Sequence, residues 1–381
     1  MQQHDLLIVG AGPVGLALAL SLKDAGLDIV LADTRPREAA AGDPRILALA
    51  HGSRLTLEQL GVWQGLPATP ISTIHISQQG SFGRSMLQAA DYDVPALGHV
   101  LPAGELAAAL RRKVDAAGIA VLDETEVTRL APGADDVIAS LSGRHAGTLS
   151  ARLAACAEGG MNTGADGIVE HDYQQHALIA QLSVSGGHKH TAFERFTTSG
   201  PVALLPCGQG YALVHVAAAD DADALLQLDD AAYLARLQTI IGHRVTLTAI
   251  SDRLRYPLGL RYRKNPIGER TVWLGNAAQT LHPVAGQGFN LALRDVHALA
   301  DTLLSHRGDP GSSATLAAYG KTRDLDRFGT IRFTDGLVRL FSNDIAPLRH
   351  ARGAGLFALD LCSPLRHFVA RRMMFGARAW P

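Results

Sequence analysis

The most constraining stretch of the chain lies near its start, "DLLIVGAGPVGLALALSLKDAGLDIVLAD", residues 5–33. "LLIVG" is an unbroken apolar run of the kind a parallel strand shows when both faces are covered. "VGLALALSLKDAG" reads as a helix with Gly26 as its stop, and "LDIVLAD" as a second strand. Strand, turn, helix and strand in about 30 residues make a βαβ unit. Its turn, "GAGPVG", sets Gly10, Gly12 and Gly15 in a G-x-G-x-x-G pattern. The first glycine permits a tight turn, the second lets a pyrophosphate approach the backbone, and the third lets helix and strand pack closely. Asp33 ends the second strand, where a carboxylate can accept hydrogen bonds from a ribose diol. A helix that starts beside such a turn offers free N–H groups to phosphate. The stretch predicts dinucleotide binding.

With 381 residues, the chain is long enough for about two domains. "GELAAALRRKVDAAG" reads as a helix ending at Gly118, and "IAVLDETEVTRL" as a following strand. The middle changes character. "HALIAQLSVSG", "TAFERFTT", "PVALLPC" and "YALVHVA" read as short antiparallel strands, "STIHISQQGSFGRSML" as a hairpin of the same sheet, and "DDADALLQLDDAAYLARLQTIIG" as one helix. After about residue 251 the pattern returns to strand, loop and helix. The expected organisation is a discontinuous cofactor domain (1–71, 98–170 and 263–345), a β-sheet substrate domain (72–97 and 171–262) and a helical segment (346–381). The formal net charge of −1 excludes general attraction to nucleic acid. Three scattered cysteines fit a reducing compartment rather than a disulfide framework. The amino terminus has neither the basic region nor the cleavage site of a signal peptide.

A second glycine-bearing loop comes late, "GNAAQTLHPVAGQGFNLALRD", residues 275–295. It follows the strand-like "RTVWLG". It carries no charge before Arg294 and runs into a helix marked by Phe289, Leu293, Val296, Ala300 and Leu303. No constellation for nicotinamide-dependent dehydrogenation stands out. A reduced flavin, by contrast, carries negative charge at one ring edge, which a helix start near Gly286, Gln287 and Gly288 would stabilise. FAD is therefore the expected dinucleotide, held without a covalent bond.

The fingerprint together with "DPRILALAHGSRLTLEQLGVW", "AFERFTTSGPVALLPC", "YPLGL" and the late loop resembles the ubiquinone-biosynthesis flavin hydroxylases, a branch of the class A flavoprotein aromatic monooxygenases. The likeness spans about residues 4–345. Most of the class begins the late motif with Gly-Asp. Gly275 followed by Asn276 is most similar to the 2-polyprenyl-6-methoxyphenol hydroxylase branch. The resemblance implies an α/β fold of the p-hydroxybenzoate hydroxylase type: a Rossmann-like FAD domain, an inserted antiparallel sheet and a helical carboxyl terminus. It implies that Gly10, Gly12, Pro13, Val14 and Gly15 meet the FAD pyrophosphate, Asp33 the adenosine ribose, and Arg45 the phosphate–ribitol region. Val127 would offer its backbone to adenine, and Asn276 would stand where the class has aspartate. Pro283, Gly286, Gln287, Gly288, Phe289 and Asn290 would line the isoalloxazine. NAD(P)H would reduce the flavin, and O2 would react through a C4a-hydroperoxyflavin to hydroxylate a polyprenylated phenol on the way to ubiquinone. Another ring position, a small soluble phenol, and a non-catalytic flavoprotein scaffold stay open as alternatives. A long apolar tunnel would speak against the small phenol.

The class also has an Asp-Gly motif that links FAD and NAD(P)H binding. Two stretches compete for it. Asp166 and Gly167 match literally, whereas Glu158 and Gly159 follow an apolar strand directly and are favoured on register. The serine and arginine that usually follow are missing. His188 and His190 sit in a polar turn and read as solvated. His282 reads as a packing or hydrogen-bonding residue, so no catalytic residue and no metal ligand is assigned. The tail "SPLRHFVARRMMFGARAW" mixes Leu365, Phe368, Val369, Met373 and Phe375 with Arg366, Arg371, Arg372 and Arg378. It suits either a helix at an anionic membrane surface or packing on the cofactor domain. The expected location is cytoplasmic, with peripheral contact at the inner membrane or a place in a biosynthetic complex left open.

Overall fold

A computed structural model describes residues 3–80, 82–161, 167–342 and 346–376. Its first sheet grows from the strand Gln3–Val9, which pairs in parallel with Ile29–Ala32 on one side and Gly147–Cys156 on the other. Ala120–Leu122 and Thr271–Trp273 extend it in parallel at either end. Successive side chains point to opposite faces. Leu6 and Ile8 therefore join a core with the helices Pro13–Ser21, Ala103–Ala116 and Gln287–Ser305. Leu7 and Val9 face Val137 and Ala139 of an antiparallel layer formed by Thr125–Pro132 and Val137–Gly143.

Among the described residues the second sheet has nine strands, built from the segment 73–88, the segment 168–263 and the short strand Gln279–Thr280. One face, carrying Leu178, Leu204 and Leu213, packs on Tyr233, Leu237 and Ile241 of the helix Asp230–Ile241. The other face bounds a cavity that residues 48–50 and 283–287 also line. The expected hairpin is present as Thr73–Gln78 and Arg84–Gln88. Thr73–Gln78 pairs in parallel with Thr191–Phe196, while the other described pairs of this sheet are antiparallel.

Two expectations need correction. The segment 220–242 is two helices, Ala219–Gln227 and Asp230–Ile241. Asp229 accepts the Ala232 N–H at 2.7 Å and caps a new helix start. The expected strand "IAVLDETEVTRL" breaks at Asp123 and Glu124, where Glu124 has a left-handed φ of 53°. Ala120–Leu122 stays in the parallel sheet, while Thr125–Pro132 crosses into the antiparallel layer.

Three helices follow among the described residues: Ser313–Phe341, Ala346–Leu361 and Ser363–Phe375. A buried ionic cluster ties the first to the late-loop helix. Arg323 contacts Asp295 at 2.6 Å and Asp326 at 2.8 Å, and Arg294 contacts Asp326 at 2.7 Å. Gln279 joins it, donating to Asp295 and accepting from Arg327. In the last helix, Ala370 and Met374 pack against Leu87, Tyr92 and Leu97, so the tail is part of a core. Arg378 lies outside the described residues.

Candidate functional site

The three fingerprint glycines meet different constraints. A Cβ on Gly10 would fall 2.6 Å from the Ala157 carbonyl oxygen, and one on Gly15 would fall 2.0 Å from the Gly10 carbonyl oxygen. The fold itself requires both glycines. A Cβ on Gly12 would meet only the mobile end of Arg35, at 3.7 Å. The protein leaves space at Gly12 that its own packing does not need, as expected where a ligand lies on the backbone. Gly12 opens the helix Pro13–Ser21 with no side-chain cap, and Pro13 holds its first position. The first-turn N–H groups thus remain available to an anion.

Asp33 sits beside this turn and is buried. Its Oδ2 accepts the Ala11 N–H at 2.7 Å, and Arg35 grips both carboxylate oxygens at 3.0 Å. Burial pushes the Asp33 carboxyl up, but the Arg35 hydrogen bonds and charge outweigh it and hold the carboxyl below its usual range. A ribose diol at Asp33 must displace Arg35, whose side chain is half exposed and can swing aside. Arg45 is exposed and held by Asp43 at 2.6 Å. Val127 is half-buried in Thr125–Pro132, the strand whose first N–H bonds the Asp33 carbonyl oxygen at 2.8 Å. Glu158 and Gly159 follow the strand Gly147–Cys156, and the Glu158 Cα lies 2.8 Å from where a Cβ on Gly10 would stand. Asp166 lies outside the described residues, and Gly167 has φ 80°.

The late loop converges on the same cleft. A Cβ on Gly275 would lie 3.1 Å from Val14 Cγ2, so the loop crosses the fingerprint helix at close range. Asn276 is exposed there between buried Gly275 and Ala277. Farther on, Ala285 and Gly286 both adopt left-handed backbone, φ 60° at each. For alanine that conformation costs about 1 kcal/mol or more, a strain that clusters where backbone is shaped for function. Gln287 begins the helix Gln287–Ser305, which has no side-chain cap, and a Cβ on Gly288 would meet nothing within 4 Å. As at Gly12, the space beside Gly288 is not used by the protein. Phe289 packs on the first core. Asn290 is buried and bonded wholly within the protein. His282 is buried, accepts the Val284 N–H at 3.1 Å, and is lowered to about 4 by burial, so its ring is neutral near pH 7.

A cavity of about 490 Å³ opens beside Pro283, Gly286 and Gln287 and runs between the second sheet and the three carboxyl-terminal helices. Its walls are largely aliphatic. Glu194 and Arg352 are the charged groups among its lining residues. Leu340 and Leu365 line it while staying exposed, and so mark its opening. Three features of the site escaped the sequence reading. Arg35 lies two positions after Asp33, a spacing that can fold back onto the carboxylate. Glu194 sits at period two between Ala192 and Phe196, a carboxyl on an apolar strand face. The left-handed Ala285 had no signal in residue type.

Comparison with known proteins places the chain in a family. The family described as FAD binding domain matches residues 3–327. Ubiquinone hydroxylase UbiL of Rhodospirillum rubrum is 34% identical, over 99% of this chain and 91% of its own length. The 3-demethoxyubiquinol 3-hydroxylase of Escherichia coli is 28% identical, over 96% of this chain and 97% of its own. Among solved structures, p-nitrophenol 4-monooxygenase PnpA from Pseudomonas putida has a TM-score of 0.78 at 15% identity, covering 99% of this chain and 100% of that one. This last likeness is one of fold.

Proposed function

Because the chain belongs to the FAD-binding family of flavoprotein monooxygenases, in the branch that holds the ubiquinone hydroxylases, we propose that it hydroxylates the ring of a polyprenylated phenol. The preferred substrate is a 2-polyprenyl-6-methoxyphenol on the route to ubiquinone, with NAD(P)H as reductant and O2 as oxidant. The observation that carries this reading is the aliphatic cavity, which leads from the late loop to an opening at Leu340 and Leu365. A prenyl chain would bury its surface there at about 25 cal/mol per Å². A small soluble phenol would leave most of that wall unused.

FAD, once reduced, supplies the oxygen-transfer chemistry. The chain supplies the site. Gly10, Gly12, Pro13, Val14 and Gly15 would hold the pyrophosphate, Asp33 the ribose, and Arg45 and Asn276 the linking region. The uncapped helix start at Gln287, Gly288 and Phe289 would present backbone N–H groups at the electron-rich ring edge. The open space at Gly12 and Gly288 fits both ends of that arrangement. The apolar walls would exclude water from the reacting centre.

Phe357, Leu361, Leu365 and Phe368 are exposed on the last two helices, with Arg366, Arg371 and Arg372 close by in sequence. Apolar side chains interleaved with arginines suit an anionic bilayer surface. The cavity opening would then face the membrane that stores the substrate. Among the described residues no helix is long and apolar enough to cross a membrane.

The deciding experiment supplies purified FAD-loaded protein with NADPH or NADH, O2 and a 2-polyprenyl-6-methoxyphenol in anionic vesicles. Mass spectrometry should find a product one oxygen heavier. NAD(P)H oxidation without any oxygenated ring would sink the reading.

A further inference from the structure

Glu194 lies mid-strand in Thr191–Phe196, opposite Ala203 on one neighbour and Ile76 on the other, and Ala203 in turn faces Val214. Ile76, Ala203 and Val214 all line the cavity. This row of the sheet therefore presents a single carboxyl among aliphatic side chains. Among the described residues no hydrogen bond or ion pair holds it. Burial pushes the carboxyl up to about 7, and no cation offsets that effect. The nearby ionisable groups are turned away or engaged. His75 and Arg195 occupy the alternate positions of their strands, where His75 meets Phe193 and Arg195 donates to Ser77. Arg352 donates to the Phe341 carbonyl oxygen at 3.0 Å. A carboxyl left unpaired in an apolar wall destabilises the empty protein. Its natural complement is a hydroxyl group on an otherwise apolar ligand.

We propose that Glu194 is the polar anchor of the substrate cavity: its carboxylate accepts the hydroxyl hydrogen of the substrate ring and repels rings that bear a carboxylate of their own. The assignment rests on the phenol reading above and adds the residue that recognises the phenol. On full transfer, the phenol O–H bond breaks and an O–H bond forms at Glu194. The electron pair stays on the phenolic oxygen and enriches the ring carbons ortho and para to it. The proton returns to the product, and no oxidant is consumed. Discrimination by an unpaired charge against the wrong ligand is a common route to specificity.

The test uses oxidised holoprotein without reductant, titrated calorimetrically with 2-methoxy-6-decylphenol and with its O-methyl ether, which lacks the hydroxyl hydrogen. Wild type should bind the phenol about 10- to 100-fold more tightly than the ether, the worth of a hydrogen bond to a charged group. That preference should grow as pH rises from about 6 to about 8, where the carboxylate forms. Glu194→Leu should bind both ligands alike and melt no lower than wild type, since it replaces a half-buried, unpaired carboxyl on an apolar wall with a leucine. Glu194→Gln, whose amide oxygen still accepts, should keep part of the preference without its pH dependence. A Glu194→Leu protein that retains the full preference would overturn the role, as would equal binding of both ligands by wild type. If wild type binds neither, the phenol reading itself falls, and this role with it.

Discussion

Asn290 Oδ1 accepts the hydroxyl of Ser53 at 2.7 Å, joining residues 237 apart in sequence. The same amide accepts the Ala50 N–H at 2.8 Å and donates to the carbonyl oxygens of Ala48 and Gly286 at 2.9 and 2.7 Å. Both donors and both lone-pair directions are thus used. The residue clamps the strand Ile46–Ala50 to the left-handed corner at Ala285 and Gly286. Asn290→Leu should destabilise the protein by about 3 kcal/mol, because several buried polar groups lose their partner at once. It should also weaken FAD binding by releasing the corner. Thermal melting and a fluorescence titration with FAD check both effects. An unshifted melt would mean that the clamp carries no load.

The fingerprint glycines should separate by phenotype. Gly12→Val should fold and lose FAD, since a Cβ there meets only the end of Arg35 at 3.7 Å. Gly15→Val should fail to fold, since a Cβ there collides with the Gly10 carbonyl oxygen. Far-ultraviolet circular dichroism and visible absorbance after FAD addition distinguish the two. A yellow Gly12→Val protein would show that the space at Gly12 serves no ligand.

The buried cluster around Asp326 predicts a pH signature. Burial alone would raise this carboxyl, but Arg294 and Arg323 outweigh it and lower it to about 2 from its ordinary value of 3.8. The unfolded chain therefore takes up this proton first as pH falls. The stabilisation is whole above about pH 4 and is lost as pH drops toward 2. Asp326→Asn leaves two buried arginines short of countercharge and should cost about 3–5 kcal/mol at pH 7. Urea unfolding of both proteins at pH 7 and near pH 3 should show the gap narrowing in acid. A gap that does not change with pH would refute the electrostatic account.

Leu365→Glu combined with Phe368→Glu should abolish binding to anionic vesicles and slow turnover of a vesicle-held phenol, while leaving the fold intact. Both side chains are about half exposed. Deleting the whole tail is a poorer test, because Ala370 and Met374 belong to a core with Leu87 and Tyr92. Vesicle co-sedimentation and a thermal melt decide the matter. Undiminished sedimentation of a folded variant would remove the membrane from the proposal.

The sequence was most legible where local chemistry and fold coincide. The run through Leu6, Leu7 and Ile8, the glycine turn and the helix after Gly286 could be read because each is a short-range pattern with one cheap solution. The break before Asp230 was missed because alanines and leucines on both sides share one helical period, and a single capping carboxylate decides the split. Asn290 read as a ring-lining residue, yet its amide is spent on backbone 240 residues away in sequence. Glu194 showed only as a carboxyl at period two on an apolar strand, and its meaning comes from Ile76, Ala203 and Val214, which the cross-strand register sets beside it.

The order in which the first sheet is completed bears on synthesis. The fingerprint strand leaves the ribosome well before its partner Gly147–Cys156, and Thr271–Trp273 and the late loop follow later still. Until then a nascent chain carries the unpaired edge of an apolar strand, a template for association with other chains. The half of the cleft at Gly12 can take shape early, whereas the half at Gly288 must wait for the late loop and its helix. A cofactor that needs both halves can be captured only after both have formed.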